Sequence, residues 1–454
     1  MATRFESTDV VVIGAGVSGL SVAHDLHEAG VGVFVLEADS RVGGRLLSKT
    51  LADGTAFDLG GQWIADVAHM PRVNRLIKEL DLHTFVQVDD ARMDLSAHPL
   101  NTMPRLARAE WEWFTAKLEA LAASVNTTDL NMTPDAVALD SVSLEEWKRQ
   151  NLDSLYLQHV FDQMVRTEYT LEPKDLSMLF FLYAVQTSGG LDTMFDPNGG
   201  SHSFRVVEGL AAVCNRLAQR LGDRVLLDRQ VYDVIHRDDG VRIVAENAII
   251  EADRVVVALP PNQTIKLDFD PVLPRRRAWL LNRLEMSAVI KCFALYERPF
   301  WTGRPVNPID PDLLVLDHTM DATSDGGKHP ALVAFIGGDD AVDWSDRSFE
   351  ERREVVLTEL VKVFGPEARN ITDYFDHDWL TEPYIGGGYS CYAPPGVMTA
   401  GYESITQPIG RIHFASTETG RIYNGYVEGA LESAERVVDE ILAALNAAPS
   451  SRAN

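Results

Sequence analysis

The chain has 454 residues, 46% hydrophobic and 24% charged, with a formal net charge of −26. That length exceeds one core and calls for two interleaved domains of ordinary globular composition. The acidic balance excludes nucleic acid and anionic membrane surfaces as expected partners, and Cys214, Cys292 and Cys391 lack the spacing of a disulfide framework or metal site.

No apolar run reaches the roughly 20 residues of a membrane span, and 446–454 is short and polar. The expectation is a soluble, cytoplasmic protein with no metal and no membrane contact, with a homodimer as the candidate assembly.

The predicted elements begin with Asp9–Ile13, an apolar β-branched run suited to a buried parallel strand. It enters Gly14-Ala15-Gly16-Val17-Ser18-Gly19, a G-x-G-x-x-G turn. The first glycine permits the turn, the second lets backbone N–H groups approach a pyrophosphate, and the third lets helix close on strand. Leu20–Ala29 is the helix, Gly30 stops it, and Val31–Leu36 is the next strand. Glu37 ends that strand, where a carboxylate can bind both hydroxyls of an adenosine ribose. A lone glycine turn is weak; embedded in strand, helix, strand and acid, it points to a dinucleotide.

Arg41-Val42-Gly43-Gly44-Arg45 follows, then Asp58-Leu59-Gly60-Gly61-Gln62-Trp63. Glycine pairs let backbone approach a large flat ligand, and Arg45 can neutralise a phosphate bidentately. Here the chain resembles the flavin-containing amine oxidase family, whose fingerprint reads G-x-G-x-x-G…E…R-x-G-G-R. The resemblance implies FAD, with Gly14, Gly16, Ser18, Gly19, Glu37, Arg45, Gly60, Gly61, Gln62 and Trp63 among its contacts.

Val73–Leu80 is a predicted helix after Pro71. Pro104–Val125 is another, with Leu106, Phe114, Leu118 and Leu121 on one face and Trp111 and Trp113 nearby, all expected in the core. Helix Leu144–Gln150 has capping-box spacing at Ser143 and Glu146. Tyr156–Gln186 reads as helical with a break near Glu172-Pro173. The α/β pattern resumes at Phe204, with helix Ala211–Leu221 and short strands; Asp238-Asp239-Gly240 marks a hairpin. The resemblance places Val231 against adenine.

Ala288–Tyr296 is an apolar strand containing Lys291, which reads either as an edge lysine snorkelling to solvent or as a buried amine with a partner. The resemblance implies a lysine holding water against flavin N5 and aiding reaction with oxygen. Leu332–Gly338 is a strand and Phe349–Phe364 a helix.

The closing motifs are Asp378-Trp379, Gly386-Gly387-Gly388-Tyr389, Phe414–Thr419 and Asn424–Gly429. Alone, Tyr389 and Tyr426 read as packing residues. The resemblance makes them two phenol rings flanking an amine, with Glu418 bonding the ribityl chain and Trp379 beside the flavin. It sets the helix from Val427 to Leu445 with its positive end toward the flavin pyrimidine. Three glycines before Tyr389 give backbone room for the ring system. Where family members with covalent FAD carry cysteine, this chain has Gly388, and strand alternation does not make Cys391 equivalent; FAD is expected to bind non-covalently.

The expected fold class is α/β: a discontinuous FAD-binding Rossmann-like domain (1–80, 205–285, 386–454) with an α+β substrate-binding domain (81–204, 286–385). The resemblance implies a flavin amine oxidase, with Lys291, Tyr389 and Tyr426 as catalytic residues. Hydride passes from the amine to FAD N5, giving an imine that hydrolyses to aldehyde or ketone and ammonia, while O2 becomes H2O2. Met164, Thr167, Leu171, Gln186 and Thr187 are the expected pocket lining. The alternatives are a polyamine or putrescine oxidase using Glu168 or Glu172, an L-amino-acid oxidase using Arg166 or Arg205, a flavin-bearing binding protein without turnover, and an NAD-dependent dehydrogenase.

Overall fold

A computed structural model describes residues 4–87, 105–195, 200–303, 313 and 315–447. Its main sheet has eight strands. Arg4–Ile13 lies in the middle, parallel to Ala248–Val257 on one side and Val33–Leu36 on the other. Val10, Val11 and Val12 are fully buried on both faces, so the run reads as continuously apolar. The strand starts earlier than the apolar run predicts, because Arg4–Thr8 pairs in register with Ala248–Ala252. Val255–Val257 also pairs with Ile412–Phe414, which brings the C-terminal segment into this sheet.

The glycine turn behaves as its spacing predicts. Gly14 takes a φ of +102°, and a Cβ on Gly19 would overlap the Gly14 carbonyl oxygen. Helix Val17–Glu28 can therefore lie directly on the sheet, where it packs with Ala212–Leu221 and Val427–Ala447. The Asp238–Gly240 hairpin joins antiparallel strands Val231–His236 and Val241–Ala245.

A second, antiparallel sheet of four strands runs in the order His318–Asp321, Ala331–Gly337, Val289–Leu295, Asp373–Asp378. Helix Phe349–Phe364 covers one face, and Phe57, Phe335 and Phe375 fill the other. Val289–Leu295 is interior to this sheet and buried throughout. The edge-strand reading of Lys291 is therefore corrected: no edge exists there for its amine to escape from.

The intervening region is helical. Leu144–Asn151 carries the expected Ser143–Glu146 capping box, and the long helical stretch splits into Leu155–Tyr169 and Met178–Thr187. Arg105–Ala123 buries Phe114 and Leu118, but Leu106 is 86% and Trp113 53% exposed. Leu106 and Trp113 turn away from the core, while Trp111 and Phe114 meet Phe161 and Phe114 also meets Trp147. Pro104, the expected helix start, lies outside the described residues, as does 448–454 of the polar terminus.

Candidate active site

A cavity of about 690 Å³ runs from Glu37 and Val231, past the glycine turn, to Tyr389 and Tyr426. Gly14, Gly16, Ser18, Arg45, Gly60, Gly61, Gln62, Trp63, Trp379 and Val427 line its length. A Cβ on Gly16 would meet nothing within 4 Å, so this turn leaves its space on the cavity side. Glu37 is buried with its carboxylate accepting from the Ala15 N–H at 2.6 Å and the Asp39 N–H at 3.0 Å. Burial nevertheless raises its pKa above the ordinary carboxylate value. An elongated, glycine-walled groove with a carboxylate at one end and the N-terminus of Val427–Ala447 near the other fits a dinucleotide carrying a flat ring system.

Two expected cofactor contacts, Arg45 and Glu418, are bonded to each other. Both terminal nitrogens of Arg45 bind Glu418, at 2.7 and 3.0 Å, and Arg45 also donates to the Tyr389 carbonyl at 2.9 Å. Glu418 further accepts from Ser390 Oγ at 3.0 Å and from Cys391 N–H at 3.1 Å. It is buried behind the cavity wall. The Glu418 carboxylate is thus held by four protein donors, while Arg45, which itself lines the cavity, spends both Nη1 hydrogens and one Nη2 hydrogen on Glu418 and Tyr389. Likewise Gly387 leaves room for the Ser287 carbonyl rather than for a ligand, and of the three glycines only Gly388 lines the cavity.

Lys291 Nζ donates to the Gly60 carbonyl at 2.9 Å and to Gln62 Oε1 at 2.8 Å, and sits 5.2 Å from the Trp63 ring. Burial pulls its pKa down, against the raising influence of Asp58. Tyr389 is set by Arg45 and by Thr170, whose hydroxyl donates to the Gly388 carbonyl at 2.9 Å. Tyr426 is set by Thr417 Oγ1, which donates to the Tyr426 carbonyl and accepts from Gly425 N–H, both at 2.8 Å. Phe335 meets Tyr389 edge-on at 6.5 Å, and His202 meets Tyr426 at 6.3 Å. Burial holds both phenols well above their ordinary pKa and pushes His202 down to about 4 and His318 to about 3. At neutral pH these four aromatic rings are therefore uncharged.

The sequence profile of the flavin containing amine oxidoreductases matches residues 17–442. The pig (Sus scrofa) amine oxidase [flavin-containing] B is 31% identical over 97% of this chain and 87% of its own. The dog (Canis lupus familiaris) amine oxidase A is 34% identical over 96% and 85%. A putrescine oxidase bound to putrescine superposes with a TM-score of 0.90 at 28% identity, covering 97% of this chain and all of that one. A cyclohexylamine oxidase from Brevibacterium oxydans superposes equally well, with a TM-score of 0.90 and 28% identity over 97% of this chain and 99% of its own.

The chain belongs to the flavin-containing amine oxidase family.

It is an FAD-dependent amine oxidoreductase acting on small amines and O2, and the NAD-dependent alternative falls away. Among the described residues no helix is long and apolar enough to cross a membrane. Of the expected lining residues, Met164 and Thr167 lie on the cavity, and Leu171, Gln186 and Thr187 lie off it. Leu171 packs into the helical core, Gln186 points to solvent, and the Thr187 hydroxyl bonds back to its own helix at Tyr183 O. Sequence reasoning missed His202, Asp317, His318 and Phe335, which line the same cavity. No periodicity marks them; the register of the second sheet brings His318 opposite Phe335, and their rings stack at 4.1 Å.

Glu168 lines the cavity, bound to the Tyr426 hydroxyl at 2.6 Å, beside the aromatic pair rather than at a far end. Glu172 is paired with Arg166 and does not line the cavity. Arg166 is thereby engaged, and Arg205 donates to the Ala322 and Thr323 carbonyls away from it. Neither arginine is available to clamp an amino-acid carboxylate.

Proposed function

We propose that the oxidase oxidises its amine, as the neutral species, in the slot between Tyr389 and Tyr426. Support comes from one arrangement: two buried phenols and the anchored Lys291 on a single cavity continuous with the glycine turn. Uncharged, buried walls penalise a charged guest relative to a neutral amine and exclude water from the reacting carbon. Gly14, Gly16, Ser18, Gly19, Glu37, Gly60, Gly61, Gln62, Trp63, Val231, Trp379 and Val427 would hold FAD, with Gly19 acting behind the turn. When bound, FAD supplies the hydride acceptor and passes the electrons to O2. Lys291 would orient a water toward the ring system with its remaining N–H.

The absence of cysteine at Gly388 supports non-covalent attachment. Yellow flavin that stays with the acid-precipitated protein pellet overturns it. The reading extends to a cytoplasmic protein, for which three buried free thiols are the support. It also extends to a homodimer, checked by sedimentation, and to the two-domain division of the chain drawn above. The test of function is peroxide release by purified enzyme across primary, secondary and cyclic amines. No peroxide from any amine, together with no anaerobic bleaching of the flavin band, would sink the proposal.

A second reading has its own observation. Asp317 is buried on the cavity wall; neither carboxylate oxygen accepts a hydrogen bond, and Arg166 Nη1 stands off at 3.9 Å. A diamine would bring a second ammonium to it, consistent with the structural likeness to a putrescine oxidase. In that case Asp317→Asn lowers kcat/KM for putrescine at least tenfold more than for hexylamine.

A further inference from the structure

Glu168 is a carboxyl that the oxidation itself does not require. It sits near the end of helix Leu155–Tyr169, whose next residue, Thr170, is tied to the Gly388 carbonyl just before Tyr389. The residue is 7% exposed, and its carboxyl receives one hydrogen bond, from the Tyr426 hydroxyl at 2.6 Å. The groups around it are Tyr169 on its own helix, Tyr426, and, within electrostatic reach, Tyr389 and Tyr392. His202 faces the Tyr426 ring, and Asp317 acts on Tyr389 from the cavity wall. No cation pairs with Glu168 among the described residues. A carboxyl bonded to one phenol of the slot and felt by the other thus lies on the wall of the cavity.

Simple alkylamines have pKa values near that of lysine, about 10.4, so they arrive at neutral pH almost wholly as ammonium. An ammonium cannot react, since its lone pair is occupied. Resting on the amine-oxidase reading above, we propose that Glu168 is the internal proton acceptor that converts the entering ammonium into the reactive amine.

The step balances: R–NH3⁺ and Glu168–COO⁻ become R–NH2 and Glu168–COOH. One N–H bond breaks with its electron pair staying on nitrogen, one O–H bond forms, and the proton goes to solvent after the product leaves. Burial drives it in the right direction. A dry slot penalises the ion pair and favours two neutral partners, lowering the ammonium pKa and raising that of the acid. Desolvation already pushes Glu168 up to about 8, with the Tyr426 hydrogen bond pulling the other way. The neighbouring His202, forced down by burial, is a much weaker base.

The pH profile carries the signature. Below the Glu168 pKa both amine and acid hold protons, and one must be lost, so kcat/KM rises tenfold per pH unit. Between that pKa and the amine's own, no net proton is exchanged and the profile is flat; above the amine's pKa it falls. Glu168→Gln removes the acceptor, so kcat/KM climbs to the pKa of the free amine and shows no fall beyond.

The experiment measures kcat/KM by peroxide release from pH 6 to 11 for two primary amines of different basicity, benzylamine and hexylamine. The wild-type acid limb is expected at one pH for both amines, and the E168Q limb at each amine's own pKa. The ratio of E168Q to wild type therefore climbs about tenfold per pH unit between the Glu168 pKa and the pKa of the amine. Glu168→Asp, which keeps a carboxyl, restores a limb common to both amines. E168Q that retains flavin yet keeps the wild-type limb overturns the proposal, as does uniform loss of rate at every pH. Peroxide from neither variant nor wild type with any amine would instead condemn the amine-oxidase reading itself.

Discussion

Burial decides which side chains in this oxidase are ionised. Asp317 is pushed up to about 7, chiefly by desolvation and against the pull of Arg166. Its folded pKa lies above its unfolded one, so its stabilising contribution is complete below about pH 4 and is lost as pH rises through about 7. Asp317→Asn, which cannot ionise, is therefore expected to be more stable than wild type above pH 7. The gain is at most about 4 kcal/mol and absent near pH 4, read as a Tm difference that grows with pH. Lys291 is held by Gly60 and Gln62 with no route to solvent. Lys291→Met keeps the packing and removes the donors, so reoxidation of the reduced enzyme by O2 slows by about 10²-fold or more. Stopped-flow rates equal to wild type would remove Lys291 from the chemistry.

The glycine turn shows an element whose sequence requirement is wholly local. Gly19 touches the Gly14 carbonyl, so Gly19→Ala separates helix Val17–Glu28 from the sheet it covers. The expected cost is about 1–3 kcal/mol of stability with weakened FAD retention, measured by Tm and by flavin released on dilution. The strand bearing Lys291 shows the opposite case. Its apolar run was legible as a strand, but its interior place depends on pairing with Ala331–Gly337 and Asp373–Asp378. Helix Arg105–Ala123 was legible in length and not in contact, because nothing near Leu106 in sequence says where its neighbours stop.

Across the whole molecule, the ion pair of Arg45 with Glu418 joins the glycine-rich start to the C-terminal block and carries the Tyr389 carbonyl with it. Glu418 has a fully buried side chain, so Glu418→Gln leaves the Arg45 charge without its counterion. A loss of about 3–5 kcal/mol is expected, with the flavin environment disturbed through Tyr389, visible in both Tm and visible absorption. A Tm within two degrees of wild type would show the pair to be dispensable.

The amino-acid string by itself determined the dinucleotide groove and the family, and through that resemblance it offered Tyr389 and Tyr426 as candidates for the slot. Those depend on strand–turn–helix rules and on motifs whose parts lie side by side in the chain. It could not say that Arg45 is taken by Glu418, 373 positions away, or that Glu168 caps Tyr426 across 258 positions. It gave no hint that Asp317 and His202 would face one cavity. Side-chain partners and charge states at such distances are set by packing, since desolvation and hydrogen bonding exist only once the chain has closed around the group.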